Sequence, residues 1–335
     1  MDNLSEPTRT PVRRGDSENI AATDNDGGSR AHKAITEKNL PRVMFQDDYP
    51  KEVLRGDIAT AVMEPRVDLV RFLVKRFPET ARTTDKTGDS LLHDAALVGA
   101  HEVIDVLVHE LKLDVNQSNN SGETPLHIAA SQGYVKAMER LMAQGADINK
   151  VDQSGDTPLH AAAAAWRHKP ETCNFLLGQG ASVDPRNGSN QTPLYVACQS
   201  GNDVVVETLL YHGADPNLWA DGMSSPLHAA VEYYPGAEYL AMCRMLVAAG
   251  ARMNHKRFDG WTPLHLAVDL GCAPLVKLLL QLGADPNIMN HEGNTPLQMA
   301  LRTGDSVVLR TMVDHEGDIV IDFHMGVARG MLPST

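Results

Sequence analysis

The chain has 335 residues, 42% of them hydrophobic, and a formal net charge of −13 at pH 7. An acidic balance with no basic stripe argues against a nucleic-acid ligand, whose phosphates are held by Lys and Arg through counterion release; a basic or neutral protein partner is favoured. Asp2 and Glu6 open the chain in place of a secretory leader, no apolar run is long enough to span a membrane, and Cys173, Cys198, Cys243 and Cys272 form no C-x-x-C pair, so no membrane association, disulfide framework or zinc site is expected and the address is intracellular, cytoplasmic or nuclear.

Residues 1–48 are rich in Ser, Thr, Asp, Asn, Gly and Arg and carry no apolar periodicity, so they are expected to be disordered for want of surface to bury. Residues 49–84 follow as a degenerate capping unit. Ile58, Ala61 and Val62 give one apolar face, and Val67, Leu69, Val70, Phe72, Leu73 and Val74 give another.

A four-residue pattern then returns through the chain. Ser90-Leu91-Leu92-His93 is followed by Thr124-Pro125-Leu126-His127, Thr157-Pro158-Leu159-His160, Thr192-Pro193-Leu194-Tyr195, Ser225-Pro226-Leu227-His228, Thr262-Pro263-Leu264-His265 and Thr295-Pro296-Leu297-Gln298, at steps of 33 to 37 residues. Such a period identifies stacked supersecondary units. A hydroxyl residue ahead of Pro is a helix start, because the side chain accepts an orphan amide and Pro at the first position sacrifices no needed donor. Gly99, Gly133, Gly201, Gly271 and Gly304 close the short first helix in the left-handed conformation. A second apolar-periodic helix ends at Gly145, Gly213, Gly250 or Gly283.

Together with endings such as Gly145-Ala146-Asp147-Ile148-Asn149 and Gly213-Ala214-Asp215-Pro216-Asn217, this pattern resembles the ankyrin repeat family over about residues 53–322. The resemblance implies an all-α ankyrin-repeat solenoid of about eight units including degenerate caps, with the array proper over 85–322 and a C-terminal tail over 323–335. It also implies that the repeated His residues tie one repeat to the next. Ala95, Ala129, Ala162, Ala197, Ala230, Ala267 and Ala300 are read as packing residues. There is no Gly-rich phosphate loop, nucleophile elbow or metalloprotease motif, so no enzyme, cofactor or metal site is expected.

Function then rests on residues that vary between repeats, and the resemblance implies a non-catalytic adaptor or scaffold, a monomer, binding its protein partner through hairpin tips and the concave face. Asp89, Glu123 and Asp156 stand just before three helix starts, where helix dipoles favour acids and where they would also attract a basic partner. Trp166 and Tyr233-Tyr234 lie in lengthened helix-to-helix turns, and Phe258, Asp259 and Trp261 lie at a hairpin tip; this group is expected to form the binding surface, since Trp and Tyr dominate hot spots. Trp219 is read as completing the local core. Local similarity to ankyrin-and-SOCS-box proteins implies an alternative, a substrate-recognition subunit of a cullin-type ubiquitin ligase. Residues 305–335 lack the Leu-x-x-Leu-Cys-Arg run of that box.

Overall fold

The structure is a computed structural model that describes residues 51–165, 170–232 and 238–314. Among these residues there are helices and no strand. The helices fall into pairs: Lys51–Met63 with Val67–Arg76, Leu91–Val98 with His101–Leu111, Pro125–Gln132 with Val135–Ala143, Pro158–Ala164 with Pro170–Gly178, Pro193–Gln199 with Asp203–Tyr211, Pro226–Glu232 with Glu238–Ala248, Pro263–Asp269 with Ala273–Gln281, and Pro296–Thr303 with Ser306–Asp314. A single turn, Pro78–Ala81, follows the first pair. The described residues divide into two compact units, one comprising 51–129 and 136–147 and the other 130–135, 148–165, 170–232 and 238–314.

In the first unit the capping helix Lys51–Met63 packs on Leu91–Val98, and Val67–Arg76 packs on His101–Leu111. Ile58, Ala61, Val62, Leu73 and Val74 are at most 1% exposed. Phe72 departs from the apolar face expected of it and stands half exposed, on the side of its helix turned away from Val70, Leu73 and Val74. Arg55 seals the cap: its guanidinium meets the Asp94 carboxylate at 2.9 Å and donates to the carbonyls of Thr83 and Asp89 at 3.2 and 3.0 Å. Burial pushes the Asp94 carboxyl up from its ordinary range, and Arg55 opposes that rise.

In the second unit, first helices stack on first helices from Pro158–Ala164 through Pro296–Thr303, and second helices stack in the same order. The small residue expected at the packing point is buried throughout, at 2% exposure or less from Ala95 to Ala300. All four cysteines are buried as well. Burial raises the Cys173 and Cys243 thiols to about 12, which leaves them protonated and unreactive at neutral pH.

The repeated motif explains itself at atomic scale. The amide of Thr157 donates to His160 Nδ1 at 3.1 Å, so that nitrogen is an acceptor and the proton resides on Nε2, which meets the Gln191 carbonyl at 3.0 Å. His93 reaches Glu123, His228 reaches Trp261 and His265 reaches Asn294 in the same way, at 3.1 to 3.2 Å. Each imidazole thus caps its own helix and fastens the next hairpin. Tyr195 spans the same gap with its hydroxyl on Ser224 Oγ at 3.3 Å, and Gln298 supplies the cap acceptor to Thr295 at 2.8 Å.

Candidate functional site

Five hairpin tips share one construction before the motif. At the first tip position an Asx side chain folds over the loop, as when Asp152 Oδ1 accepts the amides of Ser154 and Asp156, both at 2.8 Å. Asp85, Asn119, Asn187 and Asn290 do the same. Successive tips are then joined through the backbone. The amide of Asn120 donates to Thr87, Gly188 to Ser154, Asp221 to Ser189, Phe258 to Gly222 and His291 to Asp259, at 2.7 to 3.1 Å.

That approach accounts for the glycine at tips such as those of Gly88, Gly155 and Gly260. Gly155 has φ +79°, and a Cβ added there would lie 2.7 Å from the amide nitrogen of Gly188. A side chain would collide with the neighbouring tip and also strain the left-handed backbone.

The acidic residues before the helix starts take part in this joinery. Asn119 Nδ2 donates to Asp89 Oδ1 at 2.9 Å and to Glu123 Oε2 at 3.2 Å. Asn187 Nδ2 likewise donates to Asp156 Oδ1 at 2.8 Å and to Gln191 Oε1 at 3.2 Å. Asp89 and Asp156 are therefore struts between consecutive hairpins, a role that spacing alone could not reveal because the donor lies about 30 residues downstream.

Two tips of the second unit break the pattern. Ala220 stands where the Asx residue belongs, and Met223 occupies the slot of the left-handed glycine with φ 60°. In the next tip Arg257 replaces the Asx residue, and its guanidinium bridges Glu232 at 3.2 Å and Asp259 at 2.7 Å. Asp259 assumes the loop-closing task by accepting the Trp261 amide at 2.9 Å. Burial alone would raise the Asp259 carboxyl, but the hydrogen bond from Arg257 and the Trp261 amide bring it below its ordinary range.

These two tips and the one after them expose apolar side chains. Phe258 is 67% exposed, lying against Gly222, and Trp219, Met223 and Met289 are 41%, 44% and 53% exposed. Trp219 is thus not a core residue. Its indole stacks on the His255 ring with centroids 5.7 Å apart and planes 17° apart, because it sits on the hairpin and the adjoining loop offers a flat ring to cover. His255 in turn meets the Met223 carbonyl at 3.0 Å. Trp261 is half-buried and tilted against His265. Of the aromatic group expected at the surface, Phe258, Asp259 and Trp261 come together here, while Trp166, Tyr233 and Tyr234 lie outside the described residues.

Met223 escaped the sequence reading, and Trp219 was read there as core. The signal was present as a loss: the tip positions that mostly read Asx and Gly hold Ala220 and Met223. Among the described residues no group of three or more His, Cys, Asp or Glu side chains could hold a metal ion, and no helix is long and apolar enough to cross a membrane.

The model for ankyrin repeats (3 copies) matches residues 58–152, 111–186, 136–220, 159–257 and 227–323. The chain belongs to the ankyrin repeat family. Its fold is similar to the crystal structure of the ankyrin repeat domain of Bcl-3, described as a unique member of the IkappaB protein family, with TM-score 0.57 and 29% identity over 68% of this chain and 100% of that one. The human ASB11 ankyrin repeat domain gives TM-score 0.60 and 26% identity, over 68% and 99% of the two chains. Among curated proteins, the potassium channel AKT1 of Arabidopsis thaliana is 36% identical over 50% of this chain and 19% of its own length. The chain thus spans less than a fifth of that relative. Ankyrin repeats are in general protein-interaction modules without chemistry of their own.

Proposed function

We propose that this ankyrin array is a non-catalytic scaffold or adaptor whose protein partner docks on the hairpin tips carrying Trp219, Met223, Phe258, Trp261 and Met289. The observation that supports this reading is the run of exposed large apolar side chains on the two tips where the polar tip chemistry has been given up and on the one after them. Exposed aromatic and methionine surface of this kind is unfavourable in water and marks interaction sites. Trp166, Tyr233 and Tyr234 extend the binding surface through the lengthened turns. Asp89 and Asp156 act first as hairpin struts, and their charge with that of Glu123 draws a basic partner to the array. The module acts as a monomer with cytoplasmic or nuclear partners.

The test is quantitative affinity capture with the parental chain beside a Trp219→Ser/Phe258→Ser double variant of matched thermal stability. Partners enriched by the parental chain should fall at least tenfold in the variant. Equal retention removes this surface from the reading.

A second reading, substrate recognition for a cullin-type ubiquitin ligase, draws on the likeness to the ASB11 repeat domain. Stoichiometric co-purification of elongin would favour it, and capture of partners without elongin would count against it.

A further inference from the structure

The last helix pair carries an apolar face that every earlier pair in its unit covers with the next. Six residues past each helix-starting Thr or Ser, Ala163, Cys198 and Val231 are 0% exposed and Val268 is 1% exposed, whereas Leu301 at the same place is 62% exposed. The second helix repeats the contrast. Leu280 is 4% exposed and its counterpart Val313 is 64% exposed. Val206 and Val276 are fully buried, while Leu309 in their position is only half-buried. An array end of this type requires a cap.

One glycine of the following segment keeps the spacing of the tip glycines, although the hydroxyl-proline helix start does not recur after it. Gly260 and Gly293 hold the left-handed tip position with φ +80° and +78° and are 33 residues apart; 33 residues further stands Gly326. The family model's last match runs on past Asp314 to residue 323. Between Asp314 and Gly326 lie Ile319, Val320, Ile321 and Phe323, followed by Met331 and Leu332.

We propose that residues 317–332 dock on this end face as a ninth hairpin, with Gly326 at its left-handed tip beside Gly293 and with Ile319, Ile321 and Phe323 supplying apolar cover for Leu301, Leu309 and Val313. The segment is tethered at Asp314, next to Val313, so its effective concentration at the face is in the millimolar range, far above that of a second copy in dilute solution. The exposed row on the final helices is the receiving half of a joint made within one chain.

Thiol labelling of the full-length chain tests this directly, because all four native cysteines are buried. Leu301→Cys is compared with Tyr211→Cys, at a position 86% exposed, using a small maleimide and mass spectrometry, with each rate normalised to the urea-unfolded chain. Cys at 301 should react at least tenfold more slowly than Cys at 211, independently of chain concentration. Adding Ile321→Asp and Phe323→Asp, or Gly326→Val alone, should return the rate to within twofold of the reference while far-UV circular dichroism shows the helices retained. Equal rates in the parental background overturn the proposal, as does protection that survives both segment variants. Protection that rises with chain concentration alongside a dimer in light scattering also overturns it, assigning the face to a second copy.

Discussion

At the scale of single residues, Asp184 is a misfit in a repeated slot. Asn116 and Asn217 each accept an amide from the following hairpin and donate Nδ2 to a glycine carbonyl, Gly145 at 3.0 Å and Gly250 at 3.1 Å. Asp184 keeps the first contact, accepting the Asp215 amide at 3.1 Å, but its buried Oδ1 has no hydrogen-bond partner. Burial and the nearby Asp215 raise its carboxyl above the ordinary range, against the pull of that amide and Arg186. A raised folded pKa means that stability is present below the unfolded value and is lost as pH rises through the folded one. Asp184→Asn should therefore gain about 1 kcal/mol at pH 7, by restoring a donor to a buried site, and nothing near pH 3. Urea unfolding at the two pH values reads the difference. Met223 is a second misfit. Its left-handed backbone costs about 1 kcal/mol for a residue with a side chain, so Met223→Gly should be neutral to stabilising in thermal melts, while partner capture weakens if the tip surface is the binding site.

At the scale of elements, the helix pairs were legible because their start is chemical: a hydroxyl, a proline and an imidazole at fixed spacing. The tip-to-tip joints were not, since donors such as Asn119 and Asn187 belong to one hairpin and their acceptors Asp89 and Asp156 to the one before. Nothing in local spacing announces such a bond. The aromatic surface was half legible. Phe258 and Trp261 declared themselves by type, whereas Trp219 was assigned to the core because indoles are mostly buried, and it is instead held at the surface by the His255 ring. The joints make a sharp contrast testable. Gly145 and Gly155 both have positive φ, but a Cβ on Gly145 meets nothing within 4 Å and one on Gly155 lies 2.7 Å from a backbone nitrogen. Gly145→Ala should cost about 1 kcal/mol from backbone strain, and Gly155→Ala about 3 kcal/mol once forced overpacking is added. Chemical denaturation of the two variants decides whether tip contacts matter beyond the backbone.

For the molecule as a whole, His228 and His265 shape the response to acid. Burial holds His228 down at about 3, and the hydrogen bond to the Trp261 carbonyl only partly offsets it; burial lowers His265 as well. The unfolded chain takes up the proton first, near 6.5. Stability is therefore intact above about pH 6.5 and falls as pH drops toward 3, by about 1.4 kcal/mol per pH unit for His228. Gln298 already performs the capping part of this task without titrating there. His228→Gln should accordingly flatten the loss: between pH 7 and pH 4 its urea midpoint should shift less than that of the parental chain. A parallel shift in both proteins would mean that other groups govern acid unfolding.

The backbone rungs at the tips have a consequence for recognition. Gly222 and Asp259 each hold the amide of the following tip, so Phe258 and its companions ride on a rail whose shape is set before any encounter. Little loop freedom remains to be lost when a ligand arrives, which favours slow release over broad tolerance. A binder of this type should discriminate sharply on the spacing of the side chains offered to it.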